Sequence, residues 1–189
     1  MDYTTLSLAE LRIALDDVAR DAQVTFGGLD ARQLNWRPDA TRWSVAQCFE
    51  HLLAANRLML ENSENALNPA RPRTVWQRAP FLPGFLGRML IRSQTPDATR
   101  KYTASPKATP AASDIAADVV QRFVTQNGEI MKRLQSLDQA VAGRAIMTSP
   151  FVHVITYSVL DGWRLVFAHD RRHIEQARRV MQSPGYPAR

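Results

Sequence analysis

Four stretches of the chain repeat apolar residues at intervals of three and four, and strictly alternating stretches are almost absent, so the pattern predicts an all-α fold. The first stretch opens at Ser7 with Glu10 three residues on, the spacing of a capping box, and sets Leu8, Leu11, Leu15, Val18 and Ala22 on one stripe before Gly27 and Gly28 stop it. The second is announced by Ser44 and Gln47, with Trp43 just outside, and runs through Phe49, His51, Leu52, Ala55, Leu58 and Met59. It ends near Asn68 and Pro69, because proline disfavours helical geometry in the residue before it. The third is expected to start at Ser113 as its N-cap and to turn Ile115, Val119, Phe123, Ile130, Leu134 and Leu137 inward. The fourth spans about 159–181, with Val159, Trp163, Val166, Ile174, Ala177 and Met181 on its buried arc. Arg164, Arg171, Arg172, Glu175, Arg178 and Arg179 fall opposite, on what reads as a solvated basic face.

Seven of the eleven prolines, at 69, 72, 80, 83, 96, 106 and 110, lie between the second and third stretches, which makes residues 69–112 a long connection. Within it, Phe85, Leu86, Met89 and Leu90 recur at helical spacing, so 84–92 is expected to form a short apolar helix covering one end of the bundle. A loop through Gly143 and Pro150 follows, and 151–157 is rich enough in β-branched and aromatic residues to be extended, though it reads as the lead-in to the last helix. A length of 189 residues suits one domain, 1–189, with one sizeable core.

Net charge is +6, and the basic residues, mostly arginine, are spread among Asp and Glu rather than blocked, so nucleic acid is not the expected partner. No run of apolar residues is long enough to span a bilayer, and residues 1–10 lack a signal-peptide apolar region, so no membrane partner is expected either. Cys48 is the sole cysteine, which excludes an internal disulfide and fits a reducing, cytoplasmic compartment.

The chemistry lies in the histidines. His169 and His173 stand one turn apart at the margin of the buried arc, where two imidazoles can reach one point. Such a pair fixes two corners of a metal site, and His51 is the one histidine on another core-facing helix, so the three are expected to converge inside the bundle on one divalent ion. Three neutral imidazoles leave coordination positions open, the pattern of a catalytic rather than a structural site.

The stretch Leu34-Asn35-Trp36-Arg37-Pro38, with Trp43-Ser44-Val45-Ala46-Gln47-Cys48-Phe49-Glu50-His51-Leu52 and Ala168-His169-Asp170-Arg171-Arg172-His173-Ile174-Glu175-Gln176, resembles the DinB-like superfamily of metal-dependent enzymes. The likeness extends to the helix order, the proline-rich connection and Thr148-Ser149-Pro150-Phe151. It implies a four-helix bundle of up-down-down-up topology, with metal ligands at His51, His169 and His173, and zinc or nickel as the ion. It further implies a homodimer acting on a small-molecule substrate, by transfer of a low-molecular-weight thiol or by hydrolysis. A divalent centre lowers the pKa of bound water or thiol, so either nucleophile is chemically accessible.

Other residues near the expected site have weaker claims. Asp170 projects into the buried arc, where pairing with an arginine is the favoured reading over a hydrogen bond behind the ligands. Gln176, one turn past His173, is a candidate to orient it or touch substrate, and His153 to cap the site or act as acid or base. Cys48 precedes His51 by three positions and reads as a small buried residue rather than a ligand. A zinc-protease helix through His169-Asp170-Arg171-Arg172-His173 is disfavoured, since Asp shortens the reach of the general base. The reading of a different class is a helical bundle that binds metal or a partner without turnover.

Overall fold

In the computed structural model, which describes residues 1–79, 81–99, 103–112 and 114–188, the backbone is mostly helical with one small antiparallel ribbon. Helix α1 (Leu8–Phe26) begins where Ser7 can serve it: the hydroxyl accepts from the Glu10 N–H and the Glu10 carboxylate accepts from the Ser7 N–H. Its buried residues are the five of the expected stripe plus Phe26. A short α2 (Ala31–Asn35), which the apolar periodicity is too brief to reveal, follows under a capping box of Asp30 and Gln33. Helix α3 (Val45–Leu67) starts at Ser44 with the expected Gln47 box and ends at Asn68, which puts His51 in its second turn.

The proline-rich connection contains α4 (Val75–Arg78), α5 (Leu82–Ser93) and a 3-10 turn over Pro106–Ala108. Helix α6 (Val119–Gln135) starts later than the periodicity suggests. Ser113, the expected cap, lies outside the described residues, as does Pro80, but Asp114 has a left-handed φ of 59° that a continuing helix excludes. Ile115 is nevertheless buried, in the non-helical lead-in. Gly143, expected in a loop, is inside α7 (Gln139–Arg144), which Asp138 caps. Strands β1 (Ile146–Thr148) and β2 (Thr156–Ser158) then pair with Met147 opposite Tyr157, so the extended reading of 151–157 holds only at its C-terminal end. Helix α8 (Val159–Met181) has the expected bounds, with Ser158 as its cap.

The long helices α1, α3, α6 and α8 bury their stripes against one another, α1 against α6 and α8, and α3 against the same two. Phe49 on α3 sits between Phe26 of α1 and Phe123 of α6, with ring centroids 5.2 and 5.3 Å away in edge-to-face contact. Along α3 and α8 the partners run His51 to His173, Asn56 to Asp170 and Met59 to Gly162, so these two helices are antiparallel and share the histidine end.

Helix α5 lies along α8 and β2 instead of closing one end. Its buried residues are Pro83, Gly87 and Ile91, not the expected Phe85 and Met89, which face outward. Gly87 explains the close approach: a Cβ there would stand 2.9 Å from Asp161 Oδ2 and 3.0 Å from Asp161 Cβ. The Asp161 side chain cannot swing aside cheaply, because its carboxylate holds Arg164 at 2.8 Å in a nearly buried ion pair while its backbone N–H is fixed on the Ser158 hydroxyl. Gly87→Ala is therefore expected to destabilise the fold by about 1–3 kcal/mol in urea denaturation.

The basic face of α8 is not the freely solvated surface that the angular projection suggests. Arg164 donates to the Leu6 carbonyl and to Asp161, and both Arg171 and Arg178 reach Asp21 on α1 and Glu175 on their own helix. Projection of one helix cannot foresee that α1 supplies an acid opposite these arginines.

Candidate metal centre

His51 is held from behind. Its Nδ1 lies 2.6 Å from the Ala108 carbonyl oxygen, which can only accept, so Nδ1 carries the proton and Nε2 keeps its lone pair. The chain reaches Ala108 through the proline-rich connection, and α3 ties that segment down: Gln47 Nε2 donates to the Ala111 and Ala112 carbonyls while Glu50 accepts from the Ala111 N–H. Gln47 thus serves twice, its Oε1 closing the capping box and its amide nitrogen anchoring the loop that orients His51.

From α8, His169 and His173 face this ring. His51 Nε2 stands 3.2 Å from His169 Nε2, and the three ring centroids are 5.0, 4.7 and 4.6 Å apart. One ligating atom from each residue can be chosen so that all lie within 4.8 Å of one another. Two imidazole nitrogens on one tetrahedral zinc, each at about 2.0–2.1 Å, stand about 3.4 Å apart. Two lone pairs at 3.2 Å repel unless a proton or a cation sits between them, so the donor set suits a small divalent ion.

Burial, more than any charge, lowers the pKa of all three. His169 is pushed down to about 3, with His51 and Arg172 adding to the effect. His173 is lowered by burial and then by His169, His51 and Arg172, and His51 by burial against the opposing Ala108 hydrogen bond. The rings are therefore neutral at physiological pH, the form that binds metal. His51 and His173 are buried and His169 is partly exposed, so the cluster opens to solvent on the His169 side. Trp43 walls another side, its ring 5.0 Å from His51 and stacked 5.7 Å from His173.

The weaker candidates sort differently. Asp170 is fully buried, yet its partner is not the expected arginine: it accepts from Asn56 Nδ2 at 3.0 Å, and burial raises its pKa to about 8. Arg171 and Arg178 of α8 reach Asp21 on α1 and Arg172 the Ser93 carbonyl of α5, while the neutral amide of Asn56 on α3 faces the carboxyl. Gln176 lies near enough to His173 to favour its charged form, but His173 Nδ1 is buried without a hydrogen-bond partner among the described residues. His153 is exposed in the turn between β1 and β2 and is not part of the cluster. Cys48 is buried, its thiol pushed up to about 12, and contributes no ligand. Sequence reading missed the Ala108 carbonyl and Asn56, since a backbone oxygen carries no residue signature and a lone asparagine no periodicity. In the sequence nothing but its position just before the Ser44 cap marks Trp43 as a wall of the site.

A helical chain that brings three neutral imidazoles from two helices to one half-open point belongs to the class of helical proteins with a core histidine cluster that could hold a metal ion. Within that class the chain belongs to the DinB superfamily, whose family profile matches residues 14–177 and so runs from within α1 through all three histidines. No curated protein and no solved structure matches the chain significantly.

Proposed function

We propose that the chain is a metal-dependent enzyme in which His51, His169 and His173 hold one divalent ion, zinc or nickel, that activates a thiol or a water for S-transfer or hydrolysis of a small-molecule substrate. The observation that carries this reading is the approach of His51 Nε2 to His169 Nε2 with His51 Nδ1 committed to a carbonyl, which leaves a lone pair aimed at its neighbour. A divalent ion held there would supply Lewis acidity, bringing a thiol or water within reach of deprotonation near neutral pH. The protein's own part is to keep the imidazoles neutral by burial, to fix the His51 tautomer through Ala108, and to wall the His51 and His173 side with Trp43.

The scaffold of this proposal is one domain, a four-helix bundle of up-down-down-up order. The antiparallel run of α3 and α8 supports it, as do two parallel runs: Leu53 to Gln126 and Glu64 to Arg133 between α3 and α6, and Leu6 to Arg164 and Asp21 to Arg178 between α1 and α8. No helix among the described residues is long and apolar enough to cross a membrane, and the proposed setting is the cytoplasm, with the chain as a homodimer.

Metal-loaded protein offered low-molecular-weight thiols with electrophilic acceptors, and separately hydrolysable esters and amides, is expected to turn over at least one pair. His51→Ala should abolish that turnover. Stoichiometric metal uptake with no product from any pair would instead make the chain a non-catalytic metal-binding module.

A further inference from the structure

Residues 66–96 contain five arginines, at 71, 73, 78, 88 and 92, and no Asp or Glu, so this stretch alone accounts for five of the six net positive charges. The same stretch holds every exposed Phe and Trp among the described residues: Trp76, Phe81 and Phe85, with Val75 and Met89 beside them. Phe81 is 94% exposed while its backbone sits at a left-handed φ of 62°, and Phe85 is 60% exposed one turn on. At 100° per residue, Phe81, Phe85, Arg88, Met89 and Arg92 fall on one side of α5, opposite Pro83, Gly87 and Ile91, which are buried.

These groups are not the fringe of a loose loop. Thr156 Oγ1 donates to the Trp76 carbonyl, Gln77 Nε2 donates to Thr148, and Gly87 seats α5 against Asp161. The apolar side chains stay outside although the inner face of α5 is already packed, so the core has no use for them. None of the five arginines makes an ion pair among the described residues; Arg92 alone has carboxyls in its cleft, those of Asp2 and Asp97.

We propose that the outer face of α4 and α5 docks on an anionic lipid surface, with Trp76, Phe81, Phe85 and Met89 entering the headgroup layer and the arginines meeting lipid phosphates. An interfacial helix needs both parts, apolar side chains at the acyl boundary and long cations that reach back to the headgroups. Charge complementarity selects this occupant. A second copy of the same face would set five arginines against five, and a nucleic acid would use the arginines while leaving Val75, Phe81 and Met89 in water. The absence of a spanning segment, on which the expectation of no membrane partner rested, does not bear on a helix that lies in the interface.

Flotation of the full chain with vesicles of phosphatidylcholine, with or without phosphatidylglycerol, tests this. The chain is expected to float with the anionic vesicles only, and less as salt rises. F81S/F85S/M89S, which keeps every charge, should weaken that binding by about tenfold or more, and R78E/R88E should weaken it comparably; the charge variant decides if the first misfolds. Failure to float with anionic vesicles overturns the proposal. So does vesicle binding that neither variant weakens, tighter binding to single-stranded RNA that F81S/F85S/M89S leaves intact, or a change of oligomeric state in the variants without loss of lipid binding.

Discussion

His169→Ala is expected to lower the affinity for divalent metal by at least about a hundredfold, so that protein purified with about one equivalent of ion in the wild-type form emerges from the same steps without it. The expectation follows from geometry. His169 is the ring whose Nε2 faces His51 Nε2 at 3.2 Å, and it is also within 4.6 Å, centroid to centroid, of His173. Removing it leaves two imidazoles, too few for a stable site. His153→Ala, by contrast, should retain metal like the wild type, because that residue is exposed in the ribbon turn and outside the cluster. Elemental analysis of the three proteins checks this, and equal metal in the wild type and His169→Ala would remove the basis for the proposed chemistry.

A second large effect is expected in the chelator-treated protein, which should lose stability, on the order of a few kcal/mol, between pH 7 and pH 5. His51, His169 and His173 have folded pKa values below 6.5, so in this window the unfolded chain takes up protons that the folded chain refuses. Each histidine thus contributes stability at higher pH that is lost as pH falls below 6.5. Asp170 acts the other way: with its pKa raised from 3.8 to about 8, it holds a proton when folded that it has released when unfolded. Three groups of one sign and one of the other leave a net loss on acidification. Asp170→Asn removes the opposing contribution and should make the loss over the same interval deeper than in the wild type. Urea denaturation at the two pH values measures both proteins. A stability that is flat or rises toward pH 5 would mean that the imidazoles are not held neutral.

Much of this site was legible before any coordinates. Each of α1 and α3 begins with a hydroxyl and a glutamate or glutamine three residues on, so local hydrogen bonding fixes where these helices start and hence the turn on which His51 falls. The one-turn spacing of His169 and His173 likewise survives folding, because it depends on helix geometry alone. What was not legible depends on another element arriving. Asp170 looked like an arginine's partner until α3 brought Asn56 to it, and Arg164 looked solvated until the chain before α1 offered its Leu6 carbonyl. Helices α4 and α7 are too short to show periodicity, although Thr74 and Asp138 cap them. The Ala108 carbonyl reaches His51 only because Gln47 and Glu50 anchor residues 111 and 112 of the connection.

Anomalous diffraction at the absorption edge of the bound ion, from crystals of metal-loaded protein, puts the central claim to its most direct test. The account predicts a single peak within about 2.0–2.2 Å of one nitrogen from each of His51, His169 and His173. A peak elsewhere in the molecule, with these three rings unligated, would contradict it.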